Sequence, residues 1–569
     1  MPSQHTHKKR RAYASLPRTI SASKSLAAHP LNVRPLGNSF FAENTEGVTK
    51  EQQLGDFARF EEELFMEILS YIDDANALRN LSHTSRVLYA YLYDEDLWKK
   101  MYTTKVQIAE KQGKDIPLLQ WRGSWRLSVL GLDAKYSADI QMKGNLVCSD
   151  VLYRPFQCSQ IDYNNLFGKV IEEEETYHMD SLRTNQPLDF SILPKGRIPR
   201  FPEAQLSQEL FDSKWHNQPF IFTNADPERW PRWNLESLLR RFADVKFRQE
   251  AVQWPLSLYA QYLVKNSDES PLYLFDCNSE AMKTLRQEYD VPQLFQEDHF
   301  SVFGDCRPDH AWVIIGSECS GSTFHKDPNY TSAWNAALSG RKLWVMFPPG
   351  TCPPGVSADE DESEVTSPVG IAEWVLSGFY NDAAKHPEAQ IGITFPGEVM
   401  YVPSGWWHSV INLDDSVALT QNFVPKVKVG NAMNFLKNRR SQMSGFHPSA
   451  VRRVMDRVIS AAGDADDENI CKIREYSKKF DELHLQDFLQ NEDCGEIVES
   501  QLPPMPVFEL FTKLLELNGD DAVLKRGLEE LTRIEKAEVA KSTGKSETWT
   551  KLTETTGFSF GFGGDLDLE

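Results

Sequence analysis

Residues 324–328 of this chain read Phe-His-Lys-Asp-Pro, and residues 405–409 read Gly-Trp-Trp-His-Ser. Two histidines and one carboxylate are the ligand set of the facial triad, which holds Fe(II) and leaves coordination positions open. Successive side chains on a strand alternate between its faces, so His325 and Asp327 are predicted to point the same way. His408 is distant along the chain, so only tertiary folding can bring it to the other two.

A metal centre of this kind can also accept a 2-oxo acid, whose far carboxylate needs a cation in a pocket where charge-assisted pairs are strong. Residues 341–346 read as a strand on which Lys342 shares a face with Trp344. The alternative is an ordinary strand lysine in solvent. Thr420 and Asn422 are also i and i+2 on an apolar strand, which makes them members of a buried network or ligand contacts.

Short apolar runs separated by Pro, Gly and Asn dominate residues 181–430, which is typical of an all-β barrel or sandwich. A helical stretch is predicted early in this region, at about 235–247. The acidic run 359–364 is interpreted as an exposed loop. The predicted strands are Pro219–Phe222, Leu272–Phe275, Ala311–Ile315, Leu343–Phe347, Val399–Val402 and Val417–Thr420.

The segment 59–104 is predicted to be a compact bundle of short helices. Leu64, Ile68 and Ile72 recur at i, i+4 and i+8, with Phe65 and Leu69 beside them, and together they form one apolar face. Asp74 then interrupts the pattern and can cap a second helix. A bundle of this size is, in isolation, mostly a structural feature.

Two further regions flank the β-rich part. Residues 105–180 are mixed and are interpreted as a connecting segment, with a solvated acidic turn at Glu172–Glu175. Over 431–540 the apolar period returns to 3.6, with stripes at Val451–Ile459 and Phe508–Leu515. These helices need a partner surface, and packing against the barrel is the first interpretation. A homodimer through them is the alternative.

Both ends of the chain are predicted to be disordered tails, one basic (1–58) and one acidic (541–569). Residues 1–42 contain no acidic residue. The basic run at 8–11 can be a nuclear import signal or part of a solvated tail without an address. A mitochondrial transit peptide is a third, lower-ranked interpretation.

Composition excludes several classes of protein. The net charge of −21 argues against a nucleic-acid backbone as the main partner. The eight cysteines form no CxxC pair, which argues against a zinc module or a disulfide framework and favours a reducing compartment. No apolar run approaches the ~20 residues that span a bilayer. We therefore expect a soluble, intracellular protein without a membrane partner, in the nucleus, the cytoplasm or both.

The run FHKDPNYTSAWNAALSGRKLWVMFPP, followed by GEVMYVPSGWWHSVINLDDSVALTQNF, resembles the Jumonji-C (JmjC) domain, a double-stranded β-helix of the jelly-roll or cupin-like kind. The likeness is to the branch of the phosphatidylserine-receptor-like lysyl hydroxylase. It covers about 270–425 closely. The resemblance implies Fe(II), 2-oxoglutarate and O2 as cofactors. It also implies that His325, Asp327 and His408 hold the iron, that Lys342, Tyr273 and Thr420 hold 2-oxoglutarate, and that Asn335, Asn422 and Ser322 line the pocket.

The order EEELFMEILSYIDDANALRNLSHTSRVLYAYLYDEDLWKKMY resembles an F-box, including the closing Leu97-Trp98. Members of that family dock on a Skp-type adaptor of a cullin–RING ubiquitin ligase, so the resemblance implies such a partner. The sequence departs from the family at the start, where Phe60-Glu61 replaces the usual Leu-Pro. This departure bears on affinity for the adaptor and not on the fold.

The chain is therefore predicted to be a multidomain α+β protein, with an F-box at 59–104, a JmjC β-core at 181–430 and C-terminal helices over 431–540. Three functions are compatible with it. The first is a 2-oxoglutarate-dependent hydroxylase of a lysyl side chain in a protein substrate, and the second is an N-methyl (lysine or arginine) demethylase. The third is a ubiquitin-ligase adaptor with the barrel as a reader. The intact triad argues against a pure adaptor, because a reader need not keep three metal ligands.

Overall fold

The computed structural model describes residues 50–92, 95–114, 118–133, 161–183, 196–266, 268, 270–359, 362, 365–366, 370–463, 467–483 and 502–554. The basic run at 8–11, most of the acidic run 359–364 and the final residues 555–569 lie outside this set. The chain divides into two compact units. The first comprises residues up to 296 together with 309–327 and 331–423, and the second comprises 297–308, 328–330 and residues from 424 onward.

Short helices with side-chain caps form the N-terminal part of the first unit. They are α1 (Lys50–Leu54), α2 (Glu62–Ser70), α3 (Ala75–Ser82), α4 (Arg86–Tyr91), α5 (Glu95–Lys111) and α6 (Trp125–Leu130). The carboxylate of Asp74 accepts hydrogen bonds from two backbone N–H groups of α3, and the Ser85 hydroxyl accepts one from α4. These caps satisfy backbone donors that a helix start would otherwise leave unpaired.

Packing buries only part of the apolar face that was predicted for α2. Phe65 and Leu69 are buried, whereas Leu64 is 46% exposed and Ile68 and Ile72 are only partly buried. Neighbouring positions on a helix lie about 100° apart, so the predicted face is wide and the neighbouring helices cover only one side of it. The Leu64 face of the helix therefore remains at the surface.

The prediction of a disordered tail over 1–58 is wrong for residues 50–58, which are helical. Here α1 is followed by a 3-10 helix, Gly55–Arg59. Leu54 is buried, Phe57 packs on Phe65 with ring centroids 5.3 Å apart, and the Gln53 side chain accepts a hydrogen bond from the Val87 backbone. Burial of these apolar side chains explains why the segment is ordered.

A buried aromatic junction joins these helices to the β-rich part of the same unit. The Trp125 indole lies 5.6 Å from that of Trp254 and donates to the Asp268 carboxylate at 2.9 Å. The Tyr262 hydroxyl also donates to Asp268, at 2.6 Å, and Lys99 of α5 pairs with it at 3.2 Å. We call these five residues the aromatic junction.

Two facing sheets form the β-core, and their pairing is mostly antiparallel. The strands are β1 (Arg200–Pro202), β2 (Phe220–Thr223), β3 (Lys246–Gln249), β4 (Val252–Pro255), β5 (Leu274–Asp276), β6 (Ala311–Gly316), β7 (Gly321–His325), β8 (Ser332–Ser339), β9 (Lys342–Phe347), β10 (Ser357–Ala358), β11 (Val365–Thr366), β12 (Gln390–Thr394), β13 (Val399–Val402), β14 (Trp407–Asn412) and β15 (Ser416–Phe423). The large sheet has the order β1-β2-β13-β8-β15-β6-β5-β3-β4, and the small one β12-β9-β14-β7, while β10 and β11 pair with each other in a separate two-stranded sheet. This is the predicted double-stranded β-helix.

Side-chain alternation divides the core into layers. On β9, Trp344 and Met346 point between the two sheets, where they meet residues of the large sheet such as Met400. Leu343 and Val345 point outward, against helices that cover the small sheet. The helices of the β-rich part are α7 (Tyr163–Leu166), α8 (Gly168–Arg183), α9 (Gln208–Ser213), α10 (Leu235–Phe242), α11 (Leu256–Val264), α12 (Glu280–Leu285), α13 (Ile371–Leu376) and α14 (Phe379–Lys385).

Two sequence predictions in this region are wrong in detail. The helix predicted for 235–247 ends at Phe242, and β3 follows it with alternating exposed and buried residues. The run Glu172–Glu175 is not a solvated turn, because it lies in α8 and Glu174 is buried. Its carboxylate pairs with Arg200 and Arg197, each at 3.0 Å, and Arg200 pairs in turn with Glu398 at 2.8 Å. Glu174 can be buried because its carboxylate is paired with arginines that lie elsewhere along the chain.

The second unit is helical, with α15 (Val429–Asn438), α16 (Pro448–Ala462), α17 (Glu468–Glu482), α18 (Val507–Leu517) and α19 (Asp521–Glu554). The stripes predicted at Val451–Ile459 and Phe508–Leu515 contribute to one hydrophobic cluster within this unit. Residues 541–554 belong to α19, so the tail predicted for 541–569 is wrong for that stretch. Among the described helices, none has the length and apolar character needed to cross a membrane.

Candidate metal centre

The structure brings His325, Asp327 and His408 together, with one ligand atom from each lying within 4.8 Å of the others. His325 ends β7 and is the direct cross-strand partner of His408 on β14. Asp327 lies just beyond the end of β7. The turn after the strand, as well as the alternation of side chains along it, therefore brings the Asp327 carboxylate close to the two histidines. Lys326 turns away, over the Trp407 ring at 4.6 Å.

Main-chain oxygens orient both imidazoles. Nδ1 of His325 lies 2.8 Å from the Thr323 carbonyl oxygen, and Nδ1 of His408 lies 3.2 Å from that of Trp406. A carbonyl oxygen only accepts hydrogen bonds, so each Nδ1 carries a proton, and in the neutral form of each ring it is Nε2 that keeps the lone pair. This arrangement prepares Nε2 for metal coordination.

The electrostatics of the three groups also suit a cation. Burial raises the pKa of Asp327, against the lowering effects of charge on His325 and a hydrogen bond from Asn422. Burial, together with charge on His325, holds the pKa of His408 well below its ordinary value. Histidine binds metal as the neutral ring. A divalent cation would compensate the carboxylate that burial destabilises.

Unpaired polar atoms provide an independent test of whether the residues fit the expected cofactors. Oδ2 of Asp327 and Oδ1 of Asn335 are buried, and neither has a hydrogen-bond partner among the described residues. Buried polar atoms without partners also occur elsewhere among the described residues, so what points to a ligand here is that the Asp327 carboxylate lies beside two histidine nitrogens. The two-nitrogen, one-carboxylate donor set is that of the non-haem iron triad. The residues therefore fit Fe(II).

Lys342 is fully buried on the inner face of β9, which excludes the solvent-exposed alternative. Its Nζ donates to the Tyr273 hydroxyl at 2.9 Å, to Asn412 Oδ1 at 2.7 Å and to Ser416 Oγ at 3.2 Å. Each of these partners is uncharged, so the ammonium remains able to pair with an anion such as the distal carboxylate of 2-oxoglutarate.

Sequence reasoning missed Asn412 and Ser416, although alternation could have found them. Asn412 is i+4 from His408 on β14, and Ser416 is i−4 from Thr420 on β15, so each lies on the inner face of its strand. Both are short polar residues in apolar strands, the same signal that identified Thr420.

The remaining predicted pocket residues lie at different places on the strands of the β-core. The Thr420 hydroxyl donates to the Trp334 carbonyl oxygen at 2.9 Å, and Thr420 is the cross-strand partner of Asn335. The Asn422 amide donates to the Thr331 hydroxyl at 2.7 Å. Ser322 lies on β7 and lines a cavity.

That cavity measures about 480 Å³ and opens onto His325. Its walls also include Tyr273, so it adjoins the Lys342 pocket. Among the described residues that line this cavity, one side chain is acidic. It belongs to Glu250, which no sequence pattern singled out. The remaining lining residues are Ser270, Pro271, Phe275, Cys319, Ser320, Gly321, Thr323 and Ile371.

Comparison with known families matches two parts of the chain. A Cupin-like domain matches residues 236–428, and an F-box-like domain matches residues 62–104. The first contains all three candidate iron ligands. The second contains α2 to α4 and most of α5, in agreement with the predicted F-box.

Relatives extend the match beyond the two domains. Arginine-specific demethylase JMJ22 of Arabidopsis thaliana is 35% identical over 73% of this chain and 77% of its own length. Bifunctional arginine demethylase and lysyl-hydroxylase psr-1 of Caenorhabditis elegans is 35% identical, over 41% of this chain and 63% of its own. The human 2-oxoglutarate and iron-dependent oxygenase JMJD4 is 27% identical, over 39% and 59%. The chain belongs to the JmjC, cupin-like family of Fe(II)- and 2-oxoglutarate-dependent oxygenases, with an F-box-like module ahead of the oxygenase domain.

Proposed function

We propose that this oxygenase hydroxylates a lysyl side chain of a protein substrate. The observation that carries the proposal is the triad at the end of β7, together with the buried Lys342 and an open cavity that is lined by His325 and by Tyr273, a hydrogen-bond partner of Lys342. The cavity reaches His325 from solvent and is large enough to admit a side chain. A relative whose name includes lysyl-hydroxylase supports lysine as the target.

Each group of residues has a distinct task in this proposal. His325, Asp327 and His408 would hold Fe(II), and Lys342 with Tyr273 would orient 2-oxoglutarate through its distal carboxylate. The bound iron and co-substrate supply the oxidation of a C–H bond by O2, while the protein supplies geometry and substrate choice. The apolar side chains between the two sheets exclude water from the buried side of the centre.

Demethylation of an N-methyl group is the second candidate, and the name of JMJ22, which matches most of this chain, favours it. Both reactions use the same oxidation, on different carbon atoms. Hydroxylation adds one oxygen atom to the substrate. Demethylation removes the equivalent of one CH2, because the hydroxylated methyl group departs as formaldehyde.

The test is succinate formation from 2-oxoglutarate by the full chain with Fe(II), ascorbate and a protein extract, followed by peptide mass spectrometry. We expect a wild-type-specific gain of one oxygen on lysine-containing peptides, and none with His408→Ala. A loss of one CH2 would select demethylation. If neither protein formed succinate while the wild type still bound iron, the result would contradict an enzymatic function.

A role as ubiquitin-ligase adaptor is compatible with either enzyme activity. Its support is the F-box-like match and the exposed apolar face of α2, with Leu64, Phe60 and Tyr71 at the surface. We propose that this face docks a Skp-type adaptor. Leu64→Glu should abolish co-purification of the adaptor and leave succinate formation unchanged, whereas His408→Ala should do the reverse.

Two further properties stay proposals. The basic run at 8–11 supports a nuclear or mixed nuclear and cytoplasmic location, which alanine substitution of the four residues in a fluorescent fusion would test. A homodimer through the C-terminal helices would need surfaces other than the stripes buried within the second unit. Exposed side chains such as Leu517 and Val539 are available, and light scattering would measure the mass.

A further inference from the structure

We infer that Glu250 binds the cationic end of the substrate side chain and so selects lysine or another cationic residue. The inference rests on the proposed function for the reaction and adds the substrate-recognising group. Glu250 is the only acidic side chain among the described residues that line the cavity opening onto His325. A cation held there would extend its carbon chain along the cavity that ends at the metal ligand.

The backbone at Glu250 is unusual for this residue type. Glu250 and Ala251 form the two-residue turn between β3 and β4, whose last paired residues are Gln249 and Val252. Glu250 has a φ of 47°, a left-handed conformation that glycine normally occupies in such turns. A non-glycine residue in this conformation is unfavourable, and such outliers cluster at ligand-binding sites.

A hydrogen bond fixes the direction of the carboxylate. Oε1 of Glu250 accepts from the backbone N–H of Tyr273 at 3.2 Å, and the hydroxyl of Tyr273 accepts from Lys342. One residue therefore separates the recognising carboxylate from the proposed 2-oxoglutarate pocket. Tyr273 itself lines the cavity, so the Glu250 carboxylate and the Lys342 ammonium contact the same cavity-lining residue.

The charge of Glu250 has no bonded counter-ion. Among the described residues it forms no ion pair, because Lys99, the nearby cation, pairs with Asp268 and donates to the Ser270 carbonyl oxygen at 2.9 Å. Glu250 as a whole residue is exposed at its turn, and partial desolvation of its carboxyl group raises the pKa, with opposing effects of Lys99 and the Tyr273 N–H and a smaller rise from Asp268. A partly desolvated carboxylate without a paired cation binds an ammonium or guanidinium group more strongly than a fully hydrated one does.

The rest of the cavity suits the carbon stem of a lysine. Phe275 is exposed at its wall and stacks on Trp312 with ring centroids 5.1 Å apart, and Ile371 adds an aliphatic surface. Lysine buries its methylene groups on apolar surface while its ammonium seeks a polar partner. A neutral apolar side chain would contact the same walls but leave the carboxylate unpaired.

A merely structural role is the competing explanation, since Glu250 also supports the Tyr273 backbone. Glu250→Gln separates the two roles, because a glutamine oxygen can still accept from Tyr273 while the charge is lost. Glu250→Gly provides a second variant that suits the left-handed backbone and removes the whole side chain. Glu280→Gln on α12 is the matched control, because Glu280 is exposed and lies outside the cavity.

The first experiment measures binding without turnover. The full chain is loaded with Fe(II) and 2-oxoglutarate under nitrogen and titrated with capped peptides that carry one lysine, or norleucine at the same position. We expect the wild type and Glu280→Gln to prefer lysine by about tenfold, and both Glu250 variants to lose the preference. Equal binding of the two peptides by the wild type, or a preserved preference in Glu250→Gln, would overturn the inference.

The second experiment measures turnover in air. The control Glu280→Gln should leave the KM for 2-oxoglutarate, the peptide-independent formation of succinate and the oxidation of lysine-containing peptides unchanged. Glu250→Gln should lower the oxidation of lysine-containing peptides more than it lowers the peptide-independent formation of succinate. A parallel loss of all three would assign Glu250 to support of Tyr273 and overturn its role in recognition. The binding experiment requires no oxidation, so it still tests recognition by Glu250 if the proposed function fails.

Discussion

The candidate metal centre and the aromatic junction are both polar sites in the same unit, and they differ in whether the chain itself provides hydrogen-bond partners for their polar atoms. In the junction, Asp268 accepts from Trp125, Tyr262 and Lys99, so its carboxylate is satisfied within the chain. In the metal centre, Asp327 and Asn335 retain buried oxygens without partners. A satisfied network stabilises the fold. The unpaired carboxylate oxygen of Asp327 lies beside the nitrogens of two histidines, where a bound cation would complete it.

The largest effect is expected from Asp327→Asn. Loss of an iron ligand should lower succinate formation by more than the roughly 10- to 100-fold associated with outer-shell partners of a metal. The free energy of unfolding of the metal-free protein, by contrast, should not fall on the same substitution. Burial raises the pKa of Asp327, so the metal-free wild type loses stability as pH rises from the ordinary carboxyl pKa through the raised one.

The metal-free variant should then be at least as stable as metal-free wild type at neutral pH, and the two should converge at acidic pH. Thermal melts in chelator across this range measure the difference. Exposed His83→Ala in α3's C-cap serves as a neutral control. A variant less stable than wild type throughout would contradict the comparison, because it would assign Asp327 a structural role.

The next effect is expected from Lys342→Met. The KM for 2-oxoglutarate should rise about 10- to 100-fold, the range of a hydrogen bond to a charged group. Initial rates of succinate formation give the value, with exposed Lys283→Met as the control. An unchanged KM would show that the co-substrate carboxylate binds elsewhere.

A smaller effect, on stability alone, is expected from Asp268→Asn. The substitution breaks a buried pair with Lys99 and weakens acceptance from Trp125, so the free energy of unfolding should fall by about 2 kcal/mol. Because the junction belongs to one buried cluster with the β-core, calorimetry should show the F-box helices and the barrel unfolding together. Separate transitions would contradict this, and exposed Asp73→Asn should change neither quantity.

The smallest effect is expected from Leu64→Ala. Leu64 is exposed on α2, so the free energy of unfolding should change by less than about 0.5 kcal/mol. Its neighbour Leu69 is buried, and Leu69→Ala should cost about 2–5 kcal/mol. Denaturant titration of the two variants measures the contrast. A large loss at Leu64 would mean that this face packs within the protein and is not available to an adaptor.

Local spacing predicted most of the metal centre and little of the junction. His325, Asp327 and Lys342 lie in short runs whose alternation and residue types indicate their chemistry. Glu174 and Asp268 are acidic residues in unremarkable surroundings, and burial by distant arginine or aromatic partners distinguishes them. The helix predicted at 235–247 failed at its end for a related reason, since pairing with β4 converts residues 246–249 into a strand.

The sequence by itself determined the fold class and the F-box-like module and predicted the residues of the candidate triad, because residue type and strand alternation are local properties. Only the tertiary structure decided which atoms remain unpaired, and which face of α2 is buried. It alone places Glu250 in the cavity beside Tyr273. These properties depend on packing and strand register between segments that are distant along the chain, where the same local pattern permits several partners.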